Sequence, residues 1–536
     1  MRLNGLQLNL DETEEGLADK AAHALSISRV DVSSLTVIKK ALDARRNRPP
    51  HFVYAVKIGL ADGAVLPKTL PEGIQIQAFH DEPGIEPSSA EASGILSGRR
   101  PVVVIGSGPA GLFAAYALVL NRIPVLLLER GRPIERRVQD VKSFWEKGVL
   151  EPQSNVLFGE GGAGTFSDGK LTSRTKNPYA GWVKKVLVEM GSPSSILTDA
   201  KPHVGTDRLR AVIIHLRNKL IERGCVIQFE SQVTDFAIRQ GKIAAVVVND
   251  RQEILADEVI LAIGQSADDT YRTLDERGIK MEAKPFAMGL RVEHPQTLIN
   301  AIQYGRWSNH RRLPPAEYFV TAAVCELNRS VYSFCMCPGG QVIGCSAYPG
   351  SVITNGMSNR ERSGEFANSA VVVNVRAEDF MMAGEPLSGL AFRSHWERKA
   401  FEAGGGNYCA PAQKLSEFVE QKSSGAVGRT SFLPGVKAAR LDEILPDFVG
   451  NALRIGIRQF DKKMPGFIAR EAHLIGVETR TSSPVRICRG SDGQSENVRG
   501  LYPCGEGAGY AGGIISSALD GIKAAQGLMA ATNGCP

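Results

Sequence analysis

The chain has 536 residues, of which 43% are hydrophobic and 22% are charged, and its formal net charge is +6 at pH 7. This length exceeds what one hydrophobic core usually serves, so we expect more than one domain, and the composition excludes a largely disordered protein. The mild positive charge argues against a dedicated nucleic-acid-binding protein. Because the sequence shows neither the apolar core of a signal peptide nor a membrane-length apolar run, we expect a cytoplasmic protein without a membrane span.

Residues 1–80 have the pattern of a separate small α+β domain, for which we predict a ferredoxin-like arrangement. Apolar residues favour strands at 3–10 and 52–60 and a helix at 14–25, and we interpret residues 30–46 as a strand followed by a helix. A basic cluster in this region is interpreted as the solvent-exposed face of that helix. The cluster comprises Lys39, Lys40, Arg45, Arg46 and Arg48.

Residues 101–129 carry the most specific pattern. An apolar strand, Val102–Ile105, runs into a glycine-rich turn and a helix, Pro109–Leu120, and a second strand, Val125–Leu128, ends at the acidic Glu129. In such a βαβ unit the first glycine permits a tight turn, the second lets the backbone approach a pyrophosphate, and the third lets helix and strand pack closely, while the acid accepts hydrogen bonds from a ribose. The glycines are Gly106, Gly108 and Gly111. The pattern predicts a Rossmann-type dinucleotide-binding domain.

The rest of the chain predicts that this nucleotide domain is interrupted by an insertion. Residues 81–100 are rich in Pro, Ser and Gly and predict a linker, and residues 101–275 form the first part of the nucleotide domain. Residues 276–484 show β-branched alternation and predict an inserted β-rich substrate domain. Residues 485–536 contain another strand, glycine-rich loop and helix that close the nucleotide domain. The predicted fold class is therefore α/β.

Within the first part, residues 208–223 show one apolar helical face, and Gly224 ends that helix. Three short strands joined by polar turns then predict a β-meander, and a buried strand follows at 259–264. The meander strands are expected at 225–229, 233–238 and 243–248.

The nine cysteines are scattered over a long chain, which favours reduced thiols over a disulfide framework. Cys335 and Cys337 would point to the same face of a strand, which suits either a redox pair or two small buried hydrophobic side chains. No cysteine or histidine spacing matches a metal site, so no metal is predicted.

Three motifs occur in a characteristic order: GSGPAG with Glu129, VILAIG at 259–264, and LYPCGEGAGYAGGI at 501–514. In this order they resemble the flavoproteins of the glutathione-reductase-like superfamily, and the resemblance implies that FAD is bound. Two departures are Ile263, where that superfamily usually has Thr, and Glu506, where it usually has Asp. Glu506 can still accept a hydrogen bond from a ribitol hydroxyl.

A narrower resemblance covers roughly residues 100–530. FGEGGAGTFSDGKL at 158–171, SFCMCPGGQVI at 333–343, TNGMS at 354–358 and VETRTSSPVRI at 477–487 are similar to a bacterial family of uncharacterised FAD-dependent dehydrogenases. In the first of these, successive glycines let backbone N–H groups approach a planar ring, and Thr165 and Ser167 add hydroxyl donors. The motifs and the resemblance together assign FAD binding to Gly106, Gly108, Pro109, Ala110, Gly111, Glu129, Arg130, Gly162, Gly164, Thr165, Ser167, Val233, Ala262, Gly264, Gly505, Glu506, Gly513 and Ile514.

Four charged residues are candidates for the chemistry. Lys170 could place a positive charge near flavin N1 and C2=O, or it could simply be exposed at the edge of its loop. Arg480 and Arg486 could clamp an anion and Glu478 could transfer a proton, although structural ion pairs at a domain junction explain the same residues.

The leading hypothesis is an FAD-dependent oxidoreductase in which flavin N5 exchanges hydride with a small-molecule substrate. Only one complete Rossmann fingerprint is present, so a dedicated NAD(P)H domain is not expected, although a nicotinamide could reach the flavin transiently. The alternatives are a tRNA-modifying flavoprotein that docks RNA through the basic cluster, and an isoprenoid-type double-bond reductase with a long apolar tunnel. The sequence leaves the substrate, the electron acceptor and the oligomeric state open.

Overall fold

The structure of the protein is a computed structural model. It describes residues 1–45, 48–80, 83–85, 100–173, 175, 177–382, 384–423 and 425–533. The predicted linker at 81–100 lies outside the described residues except for 83–85 and 100, and so does Arg46 of the basic cluster. In the described part of the chain, no helix is both long enough and apolar enough to cross a membrane.

The strands, in chain order, are β1 (Arg2–Asn9), β2 (Val32–Asp43), β3 (His51–Leu60), β4 (Gln75–Gln77), β5 (Val102–Ile105), β6 (Val125–Leu128), β7 (Val226–Gln228), β8 (Val233–Arg239), β9 (Lys242–Val248), β10 (Gln252–Leu255), β11 (Val259–Leu261), β12 (Met281–Ala283), β13 (Phe286–Pro295), β14 (Thr321–Val324), β15 (Arg329–Gly344), β16 (Thr354–Ser358), β17 (Phe366–Val375), β18 (Ala410–Lys414), β19 (Val436–Ala438), β20 (His473–Glu478), β21 (Val485–Ile487) and β22 (Leu501–Pro503).

The α-helices, in chain order, are α1 (Leu17–Ala24), α2 (Pro109–Leu120), α3 (Ile134–Lys147), α4 (Ala180–Glu189), α5 (Thr206–Glu222), α6 (Asp268–Glu276), α7 (Gln296–Tyr304), α8 (Ser388–Ala403), α9 (Leu415–Glu420), α10 (Asp447–Lys463) and α11 (Ile514–Asn533).

A five-stranded parallel sheet, in the order β22-β11-β5-β6-β7, is built from the two segments that the sequence predicts to form a nucleotide domain. Strands β5, β6 and β11 are wholly buried and wholly apolar, as expected for parallel strands that are covered on both faces. Helices α2 and α11 pack together in the core on one face, and the meander strands β8 and β9 contribute to the core on the other. The predicted bounds of β5, α2 and β6 are confirmed residue for residue.

The meander prediction was wrong in one strand. The first predicted strand, β7, joins the parallel sheet with Val226 opposite Leu126, because helix α5 carries the chain back to the start of the sheet as a crossover connection. The meander consists instead of β8, β9 and β10, which pair antiparallel in that order.

A second, eight-stranded sheet is formed by strands that lie between β12 and β21 in the sequence. Its order is β14-β15-β17-β13-β20-β18-β19, and β16 pairs with the far part of β15. The two central strands β13 and β17 are almost entirely buried, and helix α10 packs an apolar face against the sheet. Strands β12 and β21 pair with each other where the chain leaves and re-enters the nucleotide domain. The large sheet therefore stands beside the parallel sheet, joined to it at this point.

The N-terminal sheet has the order β2-β3-β1-β4 and packs on helix α1. The helix predicted in the second half of residues 30–46 is wrong, because these residues continue strand β2 and pair with β3 as far as Asp43 opposite His51. The β-branched residues of this segment favour a strand when a partner strand is available. The described residues between β3 and β4 form turns, so the unit lacks the second helix of a β-α-β-β-α-β arrangement.

The basic cluster is therefore not a helix face. Its described members Lys39 and Lys40 lie on β2, and the Lys40 ammonium donates a hydrogen bond to Glu14 at 2.7 Å. The guanidinium groups of Arg45 and Arg48 both bind the carboxylate of Asp43. Part of the positive charge is thus neutralised within the unit.

Candidate functional site

A deep cavity opens at the carboxyl ends of the parallel strands and extends to the large sheet. At one end it is lined by Glu129 and Val233, beside β6 and β8. At the other end it is lined by Lys170, Cys335 and Glu478, which come from a loop and from two strands of the large sheet. Ligands of open parallel sheets bind at this edge, so the cavity is the candidate functional site.

Most residues that the sequence assigned to FAD line this cavity. They are Gly106, Gly108, Pro109, Ala110, Glu129, Arg130, Gly162, Gly164, Ser167, Val233, Ala262, Gly264, Gly505, Glu506, Gly513 and Ile514. They come from segments that are far apart in sequence and meet because the parallel strands place their carboxyl ends side by side.

The glycines of the first motif shape the phosphate end. Gly106 has φ = +98°, and a Cβ atom there would lie 2.4 Å from the carbonyl oxygen of Ala262. A Cβ atom on Gly111 would lie 1.8 Å from the carbonyl oxygen of Gly106. Gly111 therefore does not line the cavity, and its missing side chain allows α2 to pack closely against the turn that follows β5. Gly108 precedes the first turn of α2, whose N–H groups face an anion-binding position.

Two glycine loops meet at this point. A Cβ atom built on Gly162 would lie 3.1 Å from Cα of Gly108, and one built on Gly108 meets Gly162 at 3.9 Å. Around Gly512 and Gly513, before helix α11, an added Cβ would meet nothing within 4 Å. The backbone therefore leaves a channel at the N-termini of two helices, where a pyrophosphate and its neighbouring hydroxyls fit.

Glu129 is buried at the end of β6, as the motif predicts. One carboxylate oxygen accepts hydrogen bonds from the backbone N–H and the hydroxyl of Ser107, at 2.8 and 2.7 Å. The other accepts from the backbone N–H groups of Gly131 and Gly159, at 2.9 and 3.1 Å. Glu129 therefore ties three turns of the cavity wall together, in addition to lying where a ribose is expected.

Glu506 and Gln265 both line the cavity and are hydrogen bonded to each other. The Gln265 amide donates hydrogen bonds to a Glu506 carboxylate oxygen at 2.9 Å and to the carbonyl of Arg480 at 2.7 Å. Burial raises the pKa of Glu506 to about 7, against the opposing effects of the Gln265 hydrogen bond and the Lys284 charge. The buried amide oxygen of Gln265 has no hydrogen-bond partner. A ligand hydroxyl would satisfy that oxygen, which fits a ribitol chain at this position.

One predicted FAD contact is corrected by the structure. Thr165 is fully buried and does not line the cavity. Its hydroxyl donates to the carbonyl of Glu160 at 3.0 Å and accepts from Arg137 at 3.1 Å, because the short helical turn at Gly162–Phe166 directs this side chain inward. The hydroxyl of Ser167 does face the cavity, but it donates to the carbonyl of Gly164.

Lys170 lies at the far end of the cavity and is not an exposed loop residue. Its ammonium donates a hydrogen bond to the carbonyl of Met336 and lies 3.9 Å from a carboxylate oxygen of Asp168. Burial acts to lower the pKa of Lys170, but the thiols of Cys337 and Cys335 and the Asp168 carboxylate outweigh it and raise the pKa. Lys170 therefore supplies a fixed positive charge at this end.

Glu478 also lines the cavity, but its carboxylate is held by Arg291. The Arg291 guanidinium donates to both carboxylate oxygens, at 3.0 and 3.1 Å, and both side chains are buried. Burial raises the pKa of Glu478 even beside this cation. The pair links the adjacent strands β13 and β20, so a structural ion pair accounts for Glu478.

The structure separates the two candidate anion-binding arginines. Arg480 lines the cavity, and its Nε and Nη2 atoms donate to Glu397 at 3.1 and 2.9 Å, while its buried Nη1 lies 3.6 Å from Asp268 and makes no hydrogen bond. Arg486 does not line the cavity, because strand β21 directs it toward Glu282 on β12, at 2.9 Å. Both residues are explained by ion pairs at the junction between the two sheets.

Sequence reasoning missed Gln265 and left Cys335 undecided. Gln265 directly follows the VILAIG strand motif, so its position after a buried parallel strand was the available signal. Cys335 lines the cavity with its backbone in the left-handed region, at φ = +48°, which no local sequence pattern indicates.

The chain matches two family models and, over nearly its whole length, one relative. Residues 285–481 match the family model described as FAD-dependent protein, C-terminal domain-like, and residues 1–59 match a domain of unknown function. A Clostridium beijerinckii protein, described as "Uncharacterized protein", is 41% identical over 535 residues, which cover 99% of this chain and 98% of the relative. The first of these matches describes an FAD-dependent protein and covers the residues of the large sheet. The chain belongs to the same family as the Clostridium protein.

Solved structures show more distant likenesses. A triple mutant of the flavin-dependent brominase Bmp2 is 12% identical, with a TM-score of 0.36 over 82% of each chain. Thermovibrio ammonificans THI4 is 17% identical, with a TM-score of 0.23, and the match spans 34% of this chain and 64% of that one. At such scores the likeness says nothing about substrate or reaction.

Proposed function

We propose that the protein is an FAD-dependent oxidoreductase that exchanges hydride between the flavin and a small-molecule substrate. The observation that carries this proposal is one continuous cavity that runs from the N-terminus of α2 to Lys170 and Cys335. A cavity with a nucleotide end and a distant charged end suits a long dinucleotide whose reactive ring is remote from its phosphates.

The residues present fit FAD along the whole cavity. Gly108 and the first turn of α2 would hold the pyrophosphate, Glu129 and Val233 would flank the adenosine half, and Glu506 with Gln265 would hold the ribitol chain. When bound, the flavin would supply the two-electron chemistry that no side chain of the cavity provides by itself.

Lys170 would influence the flavin chemistry through the positive charge of its ammonium group. Its ammonium is anchored to the Met336 carbonyl and cannot swing away from the cavity without losing that bond. A fixed cation beside the ring favours the state in which the ring carries negative charge. Lys170 is therefore a positioning and electrostatic residue, and it holds its proton throughout.

The experiment is anaerobic mixing of the FAD-loaded protein with NADH and with NADPH while flavin absorbance is followed. Bleaching by either nicotinamide, faster than that of free FAD, supports hydride exchange and identifies a transient donor. Lys170→Met is expected to lower the flavin reduction potential and slow the bleaching several-fold, since the cation is lost. The matched control is Lys147→Gln, which changes an exposed lysine at the end of α3.

Retained FAD that neither nicotinamide bleaches faster than free FAD would contradict hydride exchange with a nicotinamide. An unchanged potential in Lys170→Met would contradict the role given to that residue. We do not propose isoprenoid reduction, because the ring end is lined by Asp168, Lys170 and Glu478 and is not apolar. We do not propose RNA docking, since Glu14 and Asp43 already bind the described side chains of Lys40, Arg45 and Arg48.

A further inference from the structure

Cys335 and Cys337 lie together at the far end of the cavity, on strand β15. Cys335 lines the cavity and is half-buried, whereas Cys337 is completely buried directly behind it. The thiol of Cys337 donates a hydrogen bond to the carbonyl oxygen of Cys335 at 3.4 Å. One cysteine thus lines the cavity, and the thiol of the other lies against its backbone.

The backbone between the two cysteines is not a regular strand. The pairing of β15 with β17 shifts register between Phe334 and Cys337, and Cys335 has φ = +48°. In a regular strand, Cα atoms two residues apart are separated by about 6.6 Å, close to the upper limit for a disulfide. The bulge removes the extended geometry between the two cysteines, so the spacing of a regular strand does not separate this pair.

The bulge is held in place by cations of the site. The Lys170 ammonium donates to the carbonyl of Met336, and the Arg291 guanidinium lies 3.3 Å from the carbonyl oxygen of Cys335. A non-glycine residue in the left-handed region is strained and persists only where its surroundings impose it, which is common at functional sites. The strained residue therefore sits where the flavin ring is proposed to lie.

The charges also favour a reactive sulfur. The neighbouring Cys337 thiol lowers the pKa of the Cys335 thiol, and the nearby Lys170 and Arg291 cations lower it further, against burial. The same pairing and burial raise the pKa of Cys337. One thiolate beside one thiol is the arrangement from which a disulfide forms, since the thiolate is the nucleophile.

We propose that Cys335 and Cys337 form a redox-active dithiol that exchanges two electrons with the bound flavin. In the oxidising direction the S–H bond of Cys337 breaks and an S–S bond forms between its sulfur and the Cys335 thiolate, and the bound flavin would take up the electron pair and the one proton released. The reverse direction reduces the disulfide. This inference rests on the proposed function, because the flavin is the partner in the exchange.

The test is thiol mapping of the FAD-loaded protein during anaerobic titration with dithionite. Trypsin cleavage after Arg329 and Arg360 releases one peptide, residues 330–360, that contains Cys335, Cys337 and Cys345. When the oxidised protein is denatured anaerobically and then treated with iodoacetamide, only Cys345 of this peptide should be labelled, and the unlabelled pair should make the peptide lighter by two hydrogens than its reduced form. After titration all three thiols should be labelled, and the wild type should take up twice as many electrons per FAD as Cys337→Ser.

Two controls make the outcome specific. Cys345→Ser removes a buried thiol that donates to the carbonyl of Ile353 at 3.5 Å, and it should keep the wild-type electron uptake. Protein freed of FAD should keep its disulfide over the same time with the same reductant. Full labelling of all three thiols before titration would overturn the inference, as would equal electron uptake by wild type and Cys337→Ser.

The failures are distinguishable. If FAD is retained but the thiols do not change, the dithiol inference alone is overturned. If the protein retains no FAD, the proposed function is overturned together with the exchange. A disulfide that involves Cys345 in place of either partner would likewise overturn the assignment of the pair.

Discussion

Glu506 shows how a single residue can report on the site. Its pKa is raised from 4.5 to about 7 by burial, so in the folded FAD-free protein it keeps its proton while the unfolded chain ionises. A carboxyl group whose pKa is raised on folding lowers the free energy of unfolding increasingly as the pH rises from about 4.5 to about 7. Above that range its contribution to the free energy of unfolding stays constant.

We therefore expect Glu506→Gln to stabilise the FAD-free protein relative to wild type by about 2 kcal/mol at pH 7.5 and by much less at pH 5. The amide oxygen can still accept the bond from Gln265. Denaturant unfolding at the two pH values measures the difference, and Glu72→Gln, at an exposed carboxylate, is the control. An equal effect of Glu506→Gln at both pH values would contradict the burial of this carboxylate.

At this scale, the sequence predicted the nucleotide end of the site better than the reactive end. Gly106, Gly108 and Glu129 belong to one local motif, and all three line the cavity. The partners of Arg480 and Arg486, by contrast, come from segments more than eighty residues away and leave no local pattern. Whether an arginine meets a substrate or a carboxylate depends on those partners.

At the scale of elements, helices α2 and α11 pack at very close range. A Cβ atom on Gly521 would lie 2.0 Å from the carbonyl oxygen of Ala110 and 2.9 Å from its Cα. These are backbone atoms that cannot move aside as a side-chain end could. The close approach lets both helix N-termini reach the cavity.

Gly521→Ala is therefore expected to destabilise the protein by about 1–3 kcal/mol, although alanine is favoured over glycine in a helix by about 1 kcal/mol. FAD affinity should fall as well, because α2 and α11 would be pushed apart. Lys523→Ala, at an exposed position of the same helix, should be nearly neutral. Equal or greater stability of Gly521→Ala in denaturant unfolding would refute this packing.

The elements that the sequence mispredicted depend on partners distant in the chain. Strand β7 was assigned to the meander because it precedes β8, yet it pairs with β6, about a hundred residues earlier. The second half of β2 was interpreted as a helix because its lysines suited an exposed face, yet β3 supplies its hydrogen bonds. The local pattern of apolar residues cannot show which distant strand will pair with a given segment.

At the scale of the whole molecule, two sheets of different kinds enclose one cavity. The parallel sheet contributes the nucleotide end, and the large sheet contributes the end with Lys170 and Cys335. The sequence indicated this division through an interrupted Rossmann pattern, but it could not show that the loop containing Lys170 reaches Met336 on β15. The central claim is that the complete cavity, and not one end of it, holds FAD.

The most direct test compares the dissociation constants of FAD and FMN for the FAD-free protein, measured by flavin fluorescence. FAD should bind at least a hundredfold more tightly, since FMN lacks the half that meets α2 and Glu129. Gly108→Val should abolish this preference without unfolding the protein, because only Gly162 lies within 4 Å of an added Cβ there. Gly16→Val, in similarly open space, should keep it. Equal affinity for FMN and FAD, or normal FAD binding by Gly108→Val, would contradict the account.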